Sequence, residues 1–279
     1  MSMRLGIGSY TYGWASGTYG WQMSRDIEHL SAADLIDRAA RLGVEIAQVC
    51  VRPSLHEMSS EHLARLRRYA EERDIQLEIG TTGSDPDNLL AYLEIAGTLG
   101  ATLVRTIFTD ASPGLERERD RLAQIAPAYE REQIHLAIEN HEMYGYRDLA
   151  DTLAQLSCPY IGVCLDTVNS LGRGEGVEEV TAALLPFTAC LHVKDYTVIR
   201  GDTDMGFTIV GTPAGDGKLD VPDQLARLRE VNPQASVILE QWTPFAESIE
   251  HTIELQERWA EQSIAYLKQV RARLHSQRS

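Results

Sequence analysis

The chain has 279 residues, 43% hydrophobic and 24% charged, an ordinary globular mix that can bury a sizeable core and excludes collagenous, low-complexity and disordered classes. Its net charge of −15 argues against nucleic acid or an anionic membrane surface as partner, because phosphate binding rests on clustered Lys and Arg. A small anionic substrate stays open, since a metal ion can supply local positive charge.

In chain order, short apolar runs alternate with amphipathic segments. Arg4–Ser9 reads as a first strand, and Tyr10–Met23, with Tyr10, Tyr12, Trp14, Tyr19 and Trp21 among glycines and serines, reads as a candidate lid. A helix over Ala32–Arg41 leads to a strand at Glu45–Val51, and a helix over Ser59–Arg73, opened by a capping serine, leads to Ile75–Gly80. The Asp85-Pro86 pair starts a helix running to Leu99, as Pro at a first helical position does. The strand Thr102–Thr109, the charged helix Gly114–Arg131 and the strand His135–Glu139 follow. Then come the helix Arg147–Leu156, the strand Gly162–Asp166, the helix Gly176–Leu185 and the strand Thr188–Val193. Tyr196–Asp220, rich in Gly, Asp and Thr, reads as a long irregular loop of the kind that carries function. The helix Val221–Val231, the strand Ser236–Glu240 and the long helix Ser248–Leu274 complete the chain.

Leu-Gly pairs such as Leu42-Gly43 and Leu99-Gly100 close helices before the next strand. The β-branched, near-continuous apolar strands suit a parallel sheet covered on both faces. Eight strand–helix pairs predict right-handed parallel crossovers closing into a (β/α)8 TIM barrel. Such a barrel needs about 250 residues, so one domain spans 1–279. No GxGxxG follows the first strand, which weakens a dinucleotide-binding alternative.

The cysteines Cys50, Cys158, Cys164 and Cys190 form no CxxC pair. Three sit in or beside apolar runs, so the expectation is reduced thiols in a reducing compartment. MSMRLGIGSY lacks a signal peptide's apolar core, and no apolar stretch approaches the ~20 residues of a membrane helix. The expectation is therefore a soluble, cytoplasmic protein.

A barrel's active site lies at the C-terminal ends of its strands. There the fifth strand ends in Glu139, Asn140 and His141, the sixth in Asp166 and then Asn169, the seventh in His192, Lys194 and Asp195, and the eighth in Glu240, Gln241 and Trp242. Each residue alone has a commoner structural role, as a cap, an ion-pair partner or a satisfied rim histidine. Together, three carboxylates brought to one end would repel unless a cation sat among them. Glu139, Asp166, His192 and Glu240 thus form a candidate site for one divalent metal ion, Mn, Co, Mg or Zn. Hard oxygen donors weigh against copper, and the lack of thiolates against a structural zinc site.

The segments A-I-E-N-H at 137–141, L-D-T-V-N at 165–169, H-V-K-D at 192–195, G-D-G-K-L-D at 215–220 and L-E-Q at 239–241 resemble those of the sugar phosphate isomerase/epimerase family of xylose isomerase-like barrels. The resemblance covers almost the whole chain. It implies that Glu139, Asp166, His192 and Glu240 hold the metal, and that Glu139 and Glu240 also exchange a substrate proton. A metal-polarised carbonyl eases removal of the adjacent carbon-bound proton. Reprotonating the resulting enediolate gives epimerisation or isomerisation of a small sugar, keto-sugar or sugar acid. Two features depart from the ketose epimerases. Asn169 stands where they often carry His, and Lys194-Asp195 where they often carry Gly-Glu.

Further substrate-binding candidates are His56, Asn169, Lys194, Arg200 and Trp14, with His141, Glu142 and Trp242 secondary. Lys194 would neutralise an oxyanion or a substrate carboxylate, or pair with a neighbouring acid. There is no P-loop. Arg52, Arg105, Arg147, Arg200 and Lys218 are scattered cations with ready surface roles, which favours an unphosphorylated substrate. The rival enzymatic reading is a metal-dependent lyase or dehydratase, which also begins by enolisation. A non-catalytic metal-binding barrel is a further alternative. An abasic-site endonuclease on this barrel would need a basic groove and more strand-end histidines than eight in total allow. The long final helix points to a homodimer or homotetramer.

Overall fold

The computed structural model describes residues 3–19, 27–50, 54–109, 114–201 and 205–276. Eight parallel strands close into a barrel, alternating with eight α-helices among the described residues. The first half contains β1 (Arg4–Gly8), α1 (Ala32–Leu42), β2 (Ile46–Val49), α2 (Ser60–Glu71), β3 (Gln76–Gly80), α3 (Pro86–Leu99), β4 (Leu103–Ile107) and α4 (Leu115–Glu132). The second contains β5 (His135–Glu139), α5 (Tyr146–Leu156), β6 (Ile161–Asp166), α6 (Val177–Leu184) and β7 (Thr188–Val193). A hairpin of β8 (Asp195–Arg200) and β9 (Phe207–Thr212) precedes α7 (Val221–Val231), β10 (Ser236–Leu239) and α8 (Ile249–Ser276). All eight expected strands and helices form, with ends displaced by a few residues at most. No helix among the described residues is long and apolar enough to cross a membrane.

Local chemistry sets the helix ends. Ser31 and Asp34 form a reciprocal capping box on α1, and Asp85 caps α3 through the Asp87 and Asn88 amides with Pro86 behind it. Gly43 and Gly100 end α1 and α3 in the left-handed region, at φ 60° and 67°, where a side chain would strain the backbone.

The core has two layers. One lies between sheet and helices and includes Leu5, Ile7, Leu35, Ile36, Ile79, Leu122 and Leu225. The other, inside the barrel, is a plug of Ile46, Leu103, Ala137, Cys164, Cys190 and Ile238, one from each of six strands. Side chains two residues further along a strand point the same way. The next inward layer is therefore Gln48, Arg105, Glu139, Asp166, His192 and Glu240. The apolar plug forms the floor on which this polar layer stands. Cys164 and Cys190 belong to the plug as free, buried thiols, and Cys50 and Cys158 are also unpaired.

Tyr196–Asp220, expected as an irregular loop, instead opens with the antiparallel hairpin, registered from Asp195↔Thr212 to Arg200↔Phe207. The β-branched residues of YTVIR and FTIV favour the pleat, and the intervening Gly and Asp residues masked that signal. The described part of the candidate lid is packed down. Ser9–Tyr12 forms a short 3-10 helix, and Tyr12 is fully buried with Arg38 over its ring. Trp21 and Met23 lie outside the described residues.

Candidate metal centre

Four ligand-type side chains converge where β5, β6, β7 and β10 end. Glu139 and Asp166 are the last residues of their strands, His192 is one step from the end of its strand, and Glu240 follows β10 directly. Register aligns them, with Asp166 opposite His192 and His192 opposite Ile238. The Glu240 amide continues the ladder to Val193 O at 3.0 Å. One donor atom from each of the four lies within 4.8 Å of all the others, and all four residues are buried.

Each is held by an identifiable partner. Asp166 Oδ1 accepts the Val168 and Asn169 amides at 2.8 and 2.7 Å, leaving Oδ2 to face inward. Asn140 splints β5 to β6. Its Oδ1 accepts the Asp166 amide at 2.7 Å, and its Nδ2 donates to Asp166 O at 3.0 Å. His192 Nε2 lies 2.9 Å from Gln48 Oε1. An amide oxygen only accepts, so this contact assigns a proton to Nε2 and leaves Nδ1 to face the carboxylates. Gln48 Nε2 in turn donates to Glu78 Oε2 at 3.0 Å. Glu139 is engaged at both oxygens, Oε1 by Asn169 Nδ2 at 2.8 Å and Oε2 by Arg105 Nε. Lys194 Nζ lies 2.8 Å from Asp166 Oδ2, 2.9 Å from Glu240 Oε2 and 3.2 Å from Asn169 Oδ1.

Burial disfavours every charge here, and neighbours decide which survive. Burial pushes Glu139 up, but Arg105, His192 and Lys194 together outweigh it and hold the carboxyl well below the usual range. Burial likewise opposes ionised Glu240, yet Lys194 and His192 bring it down to about 2. At Asp166 burial wins over Lys194, and the carboxyl is raised. Burial opposes protonated His192, but Glu240, Cys190 and Glu139 together more than compensate, so the ring takes up a proton well above its ordinary range.

These features fit a divalent cation. Asp166 Oδ2 and His192 Nδ1 are fully buried polar atoms without a well-directed hydrogen bond. Lys194 Nζ is close to the first but off the hydrogen-bonding angle, and the second faces Glu240 Oε1 at 3.1 Å and Glu139 Oε2 at 3.4 Å. Buried polar atoms of this kind call for a partner. Three carboxylates and one imidazole nitrogen form a donor set for Mg, Mn, Co or Zn, and a metal ligand displaces a proton from histidine as it binds.

Beside the cluster a cavity of about 590 Å³ opens over the ends of β1–β4, lined by Tyr10, His56, Thr81, Asn88, Tyr92 and Arg105 among others. His56 reaches it, with Nδ1 3.0 Å from Ser54 Oγ and the ring edge-on to Tyr92. Asn169 and Lys194 sit in the cluster itself. Two candidates are placed elsewhere. Trp14 is buried, donates Nε1–H to Thr243 O at 2.7 Å and packs on Phe245, so its indole serves packing. Arg200 is the exposed last residue of β8, at the outer end of the hairpin. His141 lies just beyond Glu139 and is half-buried, Glu142 is exposed, and Trp242 is half-buried against Gly211. Arg147, beside Tyr146, and Lys218 are exposed. Arg52 lies outside the described residues.

Strand-end reasoning does not reach Gln48 and Glu78, gives Asn140 no role and counts Arg105 among scattered surface cations. Three of these interrupt an apolar strand at an inward position, as in IAQV, QLEIG and LVRTI, and that interruption was the available signal. Asp195 was read only as part of a motif. Its buried carboxylate accepts the Tyr196, Gly215, Gly217 and Leu219 amides at 2.8–3.1 Å. It thereby folds the GDGKLD segment against the end of β7.

The family described as xylose isomerase-like TIM barrel matches residues 36–270. A curated relative, 3-oxo-isoapionate decarboxylase of Pectobacterium atrosepticum, is 30% identical over 267 residues, covering 95% of each chain. Two solved structures share the fold. D-psicose 3-epimerase from Clostridium cellulolyticum H10, with D-tagatose, has a TM-score of 0.70 and 16% identity over 96% of this chain and 99% of that one. A xylose isomerase-like TIM barrel protein from Mycobacterium smegmatis, in complex with magnesium, has a TM-score of 0.68 and 15% identity over 95% and 98%.

Proposed function

Because the chain belongs to the xylose isomerase-like TIM barrel family, we propose that it is a divalent-metal-dependent enzyme that enolises a small sugar acid, and that its reaction is decarboxylation of a 3-oxo sugar acid. The observation that carries the proposal is the convergence of Glu139, Asp166, His192 and Glu240 within 4.8 Å. The full-length similarity to a decarboxylase directs it to carbon dioxide loss, a lyase reaction. A metal complex in a protein of the same fold is consistent with the cofactor.

Glu139, Asp166, His192 and Glu240 would hold the ion, which supplies Lewis acidity for the negative charge that develops on the 3-oxo oxygen. The chemistry balances simply. The bond between the carboxylate carbon and C2 breaks, its electron pair becomes the C2–C3 double bond of an enediolate, and carbon dioxide leaves. A proton then returns to C2. Glu139 has both oxygens engaged by Asn169 and Arg105 and acts as an anchor. Glu240, ionised at rest, is left as the carboxylate that would relay a proton from water to C2, and the Lys194 ammonium beside it at 2.9 Å offsets enediolate charge. Isomerisation or epimerisation of a ketose is the second reading, favoured by two carboxylates, Glu139 and Glu240, facing one point at His192 Nδ1.

The test loads the protein with Mn2+ and offers it a 3-oxo sugar acid, following carbon dioxide release and ketose formation by NMR in D2O. Carbon dioxide release that a chelator stops, and that Glu240→Gln abolishes with metal still bound, is the expected result. Deuterium entering a ketose without carbon dioxide release would move the second reading to the front. Neither reaction, with Mn2+ bound, would overturn the enolisation proposal.

A further inference from the structure

The mouth of the barrel holds two buried cations whose donors are committed differently. An ammonium has three N–H donors and a guanidinium five. Lys194 Nζ is held by ion pairs to Asp166 Oδ2 and Glu240 Oε2 at 2.8 and 2.9 Å and by one hydrogen bond to Asn169 Oδ1 at 3.2 Å. Arg105 is 4% exposed, yet among the described residues it donates only through Nε, to Glu139. It also lines the 590 Å³ cavity, where it is the one cation among the described lining residues. Its four Nη hydrogens are thus left for whatever the cavity receives, and the Nε tether and the Tyr10 ring 5.4 Å from Cζ restrict where the fork can point.

The local charge points the same way. With a divalent ion bound in place of the His192 proton, three carboxylates face Arg105, Lys194 and the ion, which leaves one net positive charge in a buried site. A neutral sugar would leave that charge unbalanced, whereas a single carboxylate cancels it.

We propose that the Nη edge of Arg105 is the carboxylate subsite of this enzyme. The substrate is then a sugar monocarboxylate whose carboxylate lies in the guanidinium fork, next to the metal ligand Glu139, and whose hydroxylated chain runs over Thr81, Asn88 and Tyr92. This assignment rests on the metal-dependent reading above. It gives Arg105 the anchoring role and leaves Lys194 to the metal-ligand carboxylates. A planar fork fixes the plane of the carboxylate it binds. That fits a reaction in which the breaking C–C bond must stand across the plane of the neighbouring carbonyl.

The probes are L-threonate and L-threitol, which lack a 3-oxo group and do not react. In calorimetric titration of the Mn2+-loaded protein, threonate is expected to bind at least tenfold more tightly than threitol. At matched Mn2+ occupancy, Arg105→Gln should remove that preference, with Arg105→Lys intermediate. Equal affinity of the wild type for both probes, or an intact preference in Arg105→Gln, would overturn the subsite. Should Arg105→Gln not fold, the wild type still decides. The Arg105 guanidinium NMR signals must move with threonate and stay with threitol, and any other pattern overturns the assignment. A protein that binds no Mn2+ would sink the metal reading instead, so the two failures are separable.

Discussion

Replacing Gln48 by leucine removes the group that fixes the His192 tautomer while roughly preserving side-chain volume. In the wild type, Gln48 Oε1 holds the Nε2–H at 2.9 Å in a position where His192 is completely buried. Without that acceptor the buried N–H is unsatisfied, at a cost of about 1–3 kcal/mol. The ring can escape by giving up the Nε2 proton and keeping one on Nδ1, where Glu240 Oε1 waits at 3.1 Å. That same move removes the lone pair from the metal ligand set, so the proton and the ion compete for one nitrogen. Loss of such a supporting partner typically costs 10–100-fold in metal affinity, roughly 1.4–2.8 kcal/mol. Mn2+ titration calorimetry gives the affinity, and nitrogen-15 NMR of the imidazole reports the tautomer. Wild-type affinity in Gln48→Leu, with the proton still on Nε2, would refute the reasoning. Gln48→Glu sharpens the test. The new carboxylate would accept from Nε2–H more strongly, but it would abut Glu78, whose carboxyl burial pushes up to about 8. Below that pH Glu78 carries a proton it can donate, and metal binding should survive. Above it two anions would share a dry site, and binding should fall.

Glu78 itself sets a pH dependence of stability. Burial raises its carboxyl from the ordinary 4.5 to about 8 in the folded protein, so the unfolded chain releases that proton first as pH rises. The folded state is therefore penalised progressively between those two values, by about 3 kcal/mol at pH 7 and at most about 5 kcal/mol above pH 8. Glu78→Gln should be nearly neutral at pH 4 and stabilising by about that amount at pH 7 and above in urea unfolding. A pH-independent difference would contradict the assignment. Asp195→Ala removes one buried acceptor from four backbone amides and should destabilise by at least about 3 kcal/mol. Hydrogen exchange at Gly215, Gly217 and Leu219 should accelerate together, and unchanged protection there would show that the loop is held by something else.

The barrel was legible because its strands are covered on both faces. Runs such as HLAIE and GVCLD carry enough buried apolar residues to stand out from any helix period, and the Leu-Gly stops and the Asp85-Pro86 start frame the helices. The candidate ligand set stood out because Glu139, Asp166 and Glu240 each close such a run and His192 sits one step inside its own. What escaped notice is what periodicity does not mark. The hairpin was hidden because its outer residues are solvated and its two short β-branched runs, TVI and TIV, sit between glycines and aspartates. The Gln48–Glu78 support was hidden because a polar residue inside an apolar strand looks like noise until the barrel's inward parity is known.

That parity also explains how the site divides its labour. On β5, β6, β7 and β10 the inward step above the plug is Glu139, Asp166, His192 and Glu240, all metal-ligand types. On β2, β3 and β4 the inward positions are Gln48, Glu78 and Arg105, which are poor ligands or already engaged. The metal-ligand half and the cavity half are neighbours at β4 and β5, where Ile107 pairs with Glu139 and Arg105 with Ala137. The Arg105–Glu139 ion pair is the seam between them, with both partners almost fully buried. A group bound at the Arg105 fork would therefore be registered against the proposed metal ligands by a single contact. Breaking it by Glu139→Gln should weaken metal binding and also loosen a carboxylate in the cavity, which no other ligand substitution should do to the same degree. Equal loss of threonate affinity in Asp166→Asn and Glu139→Gln, at matched metal occupancy, would show that the two halves are not coupled through this pair.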